Sequence, residues 1–193
     1  MGEQGHRLSL MRYFYDTEFI EDGDTIELIS IGVVAEDGRS FYRANYDCNF
    51  SRANDWVKQN VLPHLPAQPI VLTPENRGIW RPHKEIGPEL LAFLGYTLPE
   101  KKGWDVPKPV PPTEKPELWG YYSAYDHVAL CQLFGRMIDL PKGMPMYTRD
   151  LKQWCDMLGN PQLPKQLKTE HDALADAHWN REVWHYLSAL AGH

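Results

Sequence analysis

The chain has 193 residues, of which 42% are hydrophobic, and this length and composition are typical of one folded domain. Its 20 Lys and Arg against 26 Asp and Glu give a formal charge of −6, which argues against nucleic-acid binding by bulk positive charge. No apolar run reaches the roughly 18 residues that a membrane span needs, and residues 1–10 lack the apolar core of a signal peptide. The three cysteines are far apart, which favours reduced thiols. We therefore expect a soluble, cytoplasmic protein without a membrane contact.

The first part of the chain predicts three sequential strands. Residues 13–19 are predicted as the first strand, in which an aromatic run leads into two carboxylates. Residues 26–35 and 40–46 are two further β-branched and aromatic runs, joined at an Asp-Gly pair that is typical of a hairpin. These two strands should be antiparallel neighbours, and with the first run they give an antiparallel start to a sheet.

Helical spacing follows the hairpin. Val57 and Val61 lie four residues apart beside Trp56, and Pro63 ends the pattern, which predicts a short helix within residues 51–65. A second helix is predicted within residues 83–95, where the apolar stripe is formed by Ile86, Leu90, Phe93 and Leu94.

Residues 97–116 contain six prolines and four lysines, which disfavours both a helix and a central strand. We expect an exposed extended loop here. It is either a solvated insertion or an arm that guides a substrate or binds a partner.

The second half predicts strand and helix units. Residues 118–123 are predicted as a strand, followed by a helix over 124–137, and a short strand and a helix follow within 144–159. A long helix over 171–192 ends at Gly192. The apolar faces of the first and last of these helices are Leu130, Leu133, Phe134 and Met137, and Trp179, Val183, Leu187 and Leu190. A hairpin followed by such units predicts a mixed α/β sheet flanked by helices.

Two carboxylates stand side by side in the segment RYFYDTEFIEDG. Residues two apart on a strand point to the same face, so Asp16 and Glu18 share one face while Thr17 points away. Burying like charges together is costly unless protons or cations neutralise them. Two Mg²⁺ or Mn²⁺ ions bound by such carboxylates could activate a water and stabilise the leaving oxygen of a phosphodiester.

Two ions need further ligands, and two downstream acids fall on apolar helix faces. At about 100° per residue, Asp126 aligns with Leu130, and Asp176 aligns with Val183, so both should point toward the sheet. Asp126 also follows a predicted strand, where an open α/β sheet usually builds its site.

His171 lies five residues before Asp176, about 140° away on a helix, so it should precede the helix or start its first turn. There it could accept a proton from an attacking water. Asp172 shares a helical face with Asp176 and competes with it as a ligand, but we favour Asp172 as the helix N-cap.

Taken together, the segments DTE, YDHVAL and HDALAD resemble the three exonuclease motifs of the DEDDh 3′-5′ exonucleases, whose fold is ribonuclease H-like. Longer segments, MRYFYDTEFIEDG and TIELISIGVVAEDGR among them, further resemble the RNase AS family of actinobacterial exoribonucleases, which is associated with adenylate-containing RNA ends. The resemblance runs from about Met11 to the last helix. It divides the chain into an N-terminal extension, residues 1–10, and a single exonuclease domain, residues 11–193. Two departures are this extension and the 97–116 loop, which looks like an expansion.

The resemblance implies specific roles. It makes Asp16, Glu18, Asp126 and Asp176 the ligands of two Mg²⁺ ions, with Mn²⁺ as a substitute, and it makes His171 the general base. It also implies release of 5′-mononucleotides from the 3′ end of single-stranded RNA, a preference for adenylate ends, and a homodimer.

Contacts to the nucleic acid are less defined by the sequence. Phe19 could stack on a base or pack in the core, and Trp80 and Arg81 could contact a base or a phosphate. Thr17 is a fourth candidate for contact with the substrate.

Two alternatives remain open from the sequence. One keeps the chemistry but acts on DNA ends or very short oligonucleotides, since the residue that would recognise a 2′-hydroxyl is not apparent. The other is a non-catalytic nucleic-acid-binding module. Loss of one ligand or of the base would have indicated the module, and all five residues are present.

Overall fold

The computed structural model describes residues 10–100, 108–166 and 170–192. One mixed β-sheet lies at the centre of this fold. Six strands form it in the order β4-β3-β2-β1-β5-β6. Neighbours β1, β2 and β3 pair antiparallel, whereas β5 joins β1, β6 joins β5 and β4 joins β3 in parallel. The predicted mixed α/β sheet of ribonuclease H type, antiparallel at its start and then parallel, is confirmed. The strands are β1 (Leu10–Glu21), β2 (Ile26–Ala35), β3 (Ser40–Asn45), β4 (Trp80–Arg81), β5 (Lys115–Gly120) and β6 (Arg149–Asp150).

Five helices flank the sheet in the described residues. Tyr13 and Tyr15 of β1 share one core cluster with the second and third helices. Phe14, which points to the opposite face, packs 5.9 Å from the Trp184 ring on the last helix. Strand β1 is therefore covered on both faces, which explains why three aromatic residues, 13–15, follow one another in it. The helices are α1 (Asp55–Asn60), α2 (His83–Phe93), α3 (Ala124–Gln132), α4 (Leu151–Met157) and α5 (Ala173–Ala191).

Several predicted boundaries are wrong, each for a local reason. The helix predicted over 124–137 ends at Gln132, because the chain turns at Gly135 with a φ of 99°, and Met137 is exposed in a 3-10 turn. Leu190, predicted on the apolar face of α5, is also exposed, in the last turn of that helix. Helix α1 is shorter than the predicted segment, and 3-10 turns flank it.

Strand β5 begins three residues before the predicted strand, inside the proline-rich segment. Pro116 pairs with Met11 and is buried in β5 rather than exposed in a loop. Within the described residues β6 pairs only with Trp119 and Gly120, so the missing N–H of Pro116 breaks no ladder on that side. Thr97 and Val110 form an isolated bridge near the other end of the segment. Residues 101–107 of this segment, and 1–9 of the predicted extension, lie outside the described residues.

None of the described helices is both long enough and apolar enough to cross a bilayer. The three cysteines are free, as expected for reduced thiols.

Candidate active site

The C-terminal half of β1, beyond its pairing with β5, presents Asp16 and Glu18 on one face and Thr17 on the other. Asp16 pairs with Gly32 of β2 and Glu18 pairs with Ser30, and the register shifts between Glu18 and Phe19. Such an irregularity locally bends a strand and redirects the side chains that follow it. The two acids face the side of α5, whereas Thr17 faces α3.

Helix α3 brings Asp126 to this strand end. The Thr17 backbone N–H and the Thr17 Oγ1 both donate to Asp126 Oδ1, at 2.8 and 2.7 Å. The turn between β5 and α3 is tight, because a Cβ on Gly120 would lie 2.6 Å from the Cβ of Ser123. This turn holds the first turn of α3, and with it the buried Asp126, against β1.

Helix α5 approaches the sheet at backbone distance. A Cβ on Gly32 would lie 2.2 Å from the carbonyl oxygen of Ala173, so only glycine allows this contact. Further along, the Asn180 side-chain amide donates to the Tyr15 carbonyl at 2.9 Å. Asp172 caps the helix by accepting from the Ala175 N–H at 2.9 Å, as predicted. The first turn of α5 is thereby fixed beside Asp16.

His171 precedes α5, in one of the two positions that the sequence allowed. Its φ is 70°, in the left-handed region, and its backbone N–H donates to Asp176 Oδ2 at 3.1 Å. The Gln166 side-chain amide donates to the other oxygen of Asp176. Ligand atoms of Glu18, His171 and Asp176 all lie within 4.8 Å of one another. The fold therefore brings together side chains from β1 and α5 that are distant in sequence.

The carboxylates of the cluster are close enough to repel one another, and burial reduces their contact with water. Burial, followed by the charges of Asp126 and Asp176, raises the pKa of Asp16 well above its usual range. Burial and the charge of Asp176 raise the pKa of Glu18 to about 8, and Glu18 is 8% exposed. Burial likewise raises the pKa of Asp176 to about 7.

The pKa of Asp126 is raised as well, although hydrogen bonds oppose part of the effect of burial. Burial raises its pKa, whereas the two hydrogen bonds from Thr17 lower it. Among the described residues, no Lys or Arg forms an ion pair with any of the four acids. A cluster of oxygen ligands without a protein countercharge is suited to hard divalent cations.

Aromatic side chains border the cluster. Phe19 stacks on Tyr125, with ring centroids 6.1 Å apart and planes 16° from parallel, and Tyr125 is exposed. On the α5 side, the Trp56 ring lies 4.8 Å from the His171 ring. The sequence reasoning missed Tyr125, Trp56 and Gln166 as site residues. Tyr125 had a weak signal as the neighbour of Asp126, whereas the other two contacts depend on the folded chain.

Trp80 and Arg81 are placed elsewhere. They form β4, which β2 and β3 separate from β1. Trp80 is 3% exposed and donates from Nε1 to the Ala67 carbonyl, and Arg81 is 7% exposed and pairs with Glu89 at 2.6 Å. Their buried contacts are structural, and the fold does not bring them to the acidic cluster.

Comparisons with known proteins agree with this geometry. The family model described as a 3′-5′ exoribonuclease Rv2179c-like domain matches residues 11–188. Two relatives named 3′-5′ exoribonuclease, from the CDC 1551/Oshkosh and H37Rv strains of Mycobacterium tuberculosis, are each 46% identical over 167 residues. The alignment covers 86% of this chain and 87% of each relative. The chain therefore belongs to the Rv2179c-like 3′-5′ exoribonuclease domain family.

Proposed function

We propose that this protein is a metal-dependent 3′-5′ exoribonuclease that releases 5′-mononucleotides from the 3′ ends of single-stranded RNA, with a preference for adenylate-containing ends. The observation that carries the proposal is the convergence of four acids from β1, α3 and α5 with His171, which precedes α5. Membership of a family described by 3′-5′ exoribonuclease activity supports the direction and the substrate class. We further propose a homodimer in the cytoplasm.

The four acids fit a site for two Mg²⁺ ions, which Mn²⁺ could replace. Asp16, Glu18, Asp126 and Asp176 would hold them, because these oxygen ligands lack an ion-pair partner in the described residues and burial raises the pKa of each. Bound divalent cations activate a water and stabilise the leaving oxygen of a phosphodiester.

The remaining chemistry belongs to the protein side chains. His171 is the proposed general base, since its ring lies beside Glu18 and Asp176 and a neutral imidazole accepts a proton near neutral pH. Thr17 holds Asp126 in place through two hydrogen bonds, and the His171 backbone holds Asp176. Thr17 and Phe19 remain proposed substrate contacts, and the exposed face of Tyr125 extends the Phe19 surface for a base.

Digestion of labelled homopolymer RNAs with Mg²⁺ tests the proposal. We expect stepwise shortening from the 3′ end, 5′-mononucleotide as product, and the fastest digestion for oligoadenylate. Asp126→Ala should lower the digestion rate by more than the roughly 10- to 100-fold that is typical of changes outside the ligand shell. The matched control is Asp156→Ala, an acid on the surface of α4 that pairs with Lys152.

Matched DNA strands separate the alternatives. Equal digestion of DNA and RNA would favour a general exonuclease over an exoribonuclease. RNA binding without metal and without turnover would contradict the enzymatic proposal and favour a binding module.

A further inference from the structure

A half-exposed tryptophan lies against the proposed general base. Trp56 is 52% exposed, yet its ring centroid lies 4.8 Å from that of His171, with the two planes at 76°. Edge-to-face packing of this kind is a favourable arrangement of aromatic rings. The contact joins helix α1 to the residue that precedes α5 by two positions.

The backbone that carries Trp56 is well anchored. Asn54 caps α1 by accepting from the Val57 N–H at 2.8 Å, and Val57 is buried in one core cluster with Ile20 and Ile29. Ile20 follows Glu18 by two residues on β1. Helix α1 is therefore attached to the same strand end that presents the acids.

The His171 ring has few other restraints. Its backbone is held by the bond from its N–H to Asp176, but its ring nitrogens form no side-chain hydrogen bond within the described residues. Among the described residues, the edge-to-face contact with Trp56 therefore restrains the imidazole on one side, while Glu18 and Asp176 lie beside it. A freely rotating side chain loses entropy each time it adopts the reactive orientation.

We propose that Trp56 is a positioning residue that holds the His171 imidazole in its orientation beside Glu18 and Asp176. The inference rests on the proposed role of His171 as general base. Trp56 acts through His171 and is not itself a catalytic residue. Its effect should thus appear in the rate of the chemical step rather than in the affinity for RNA.

Kinetics of Trp56 variants on oligoadenylate with Mg²⁺ test this role. Trp56→Ala should lower kcat by about 2- to 10-fold, the equivalent of one aromatic pair, and leave KM within about 2-fold. Trp56→Phe should retain most of the rate because it keeps an aromatic ring, and Trp56→Leu should behave like the alanine variant. Tyr147→Ala, an exposed aromatic residue beside β6, is the control and should match the parent.

A double-mutant cycle gives the decisive comparison. Once His171 is replaced by Ala, the further change Trp56→Ala should cost nothing, measured as the residual single-turnover rate with excess enzyme. An equal loss in both backgrounds, or a raised KM at unchanged kcat, would mean that Trp56 contacts RNA and would overturn the inference.

Nuclear magnetic resonance provides a readout independent of activity. Trp56→Leu should shift the His171 ring signals through loss of the indole ring current, and leave those of the exposed His178 unchanged. Unchanged His171 signals would overturn the inference. A parent rate for His171→Ala would contradict both the proposed general base and this inference. A reduced rate for His171→Ala together with a parent rate for Trp56→Ala would contradict this inference alone.

Discussion

At the scale of single residues, Glu18 has a buried negative charge that suits a proposed metal ligand but lowers the stability of the fold. Burial and the Asp176 charge raise its pKa to about 8. A carboxyl group with a higher pKa in the folded than in the unfolded state binds its proton more tightly when folded. The metal-free protein therefore loses stability as pH rises from about 4.5 toward 8.

Glu18→Gln removes this charge with little change of shape. In the presence of a chelator at pH 8, we expect the variant to be more stable than the parent by on the order of 2 kcal/mol, with a much smaller difference at pH 5. Activity should be lost, because a proposed metal ligand is gone. Thermal unfolding at the two pH values measures the effect, with Glu21→Gln, an exposed acid on the same strand, as the control. A variant that melts below the parent at pH 8 would contradict the electrostatic account.

The candidate residues themselves were largely predictable from the sequence. Asp16 and Glu18 alternate on a strand, and Asp126 and Asp176 fall on helix faces turned toward the sheet, so periodicity was sufficient to select them. The contact of Trp56 was not predictable, because an exposed aromatic residue has no periodic signature, and Tyr125 had only its position beside Asp126 as a signal. Trp80, a predicted substrate contact, is buried in the edge strand β4, and its sequence position did not indicate this burial.

At the scale of elements, the approach of α5 to β2 sets the site. Asp176 reaches the cluster because the Ala173 carbonyl contacts the backbone at Gly32. Close packing of backbones leaves no room for relaxation, in contrast to a contact with a flexible side chain.

Gly32→Ala should therefore affect both stability and activity. We expect a loss of about 3 kcal/mol or more, because the new Cβ would lie 2.2 Å from the Ala173 oxygen and must displace α5. Urea unfolding and the rate on oligoadenylate measure the two effects. Gly38→Ala, with a φ of 92° and no atom within 4 Å of the new Cβ, gives the cost of backbone strain without a steric clash. Equal effects of the two substitutions would show that the contact with α5 is not rigid.

Element types were predicted better than their ends. The hairpin strand β2 begins and ends where predicted, because the Asp-Gly turn fixes its register. Strand β5 begins inside the proline-rich segment, since the pairing with β1 outweighs the low strand propensity of Pro116. Local preference could not reveal that pairing.

At the scale of the whole molecule, the proposed homodimer is open to a direct measurement. Large apolar side chains are exposed on the described surface, and such residues are common where a second copy binds. We expect light scattering to give twice the mass of one chain at the concentrations used for activity. The mass of a single chain under those conditions would contradict the proposal. The exposed residues include Met137, Ile138, Met146 and Met157.

The order of the site residues along the chain has a consequence for biosynthesis. The Asn180 amide that fixes α5 bonds to a Tyr15 carbonyl 165 positions earlier. At 5 to 20 residues per second, a ribosome makes the second partner roughly 8 to 30 s after the first. During that interval Asp16 and Glu18 have neither His171 nor Asp176 beside them. The proposed site is thus incomplete until synthesis of the chain is nearly finished.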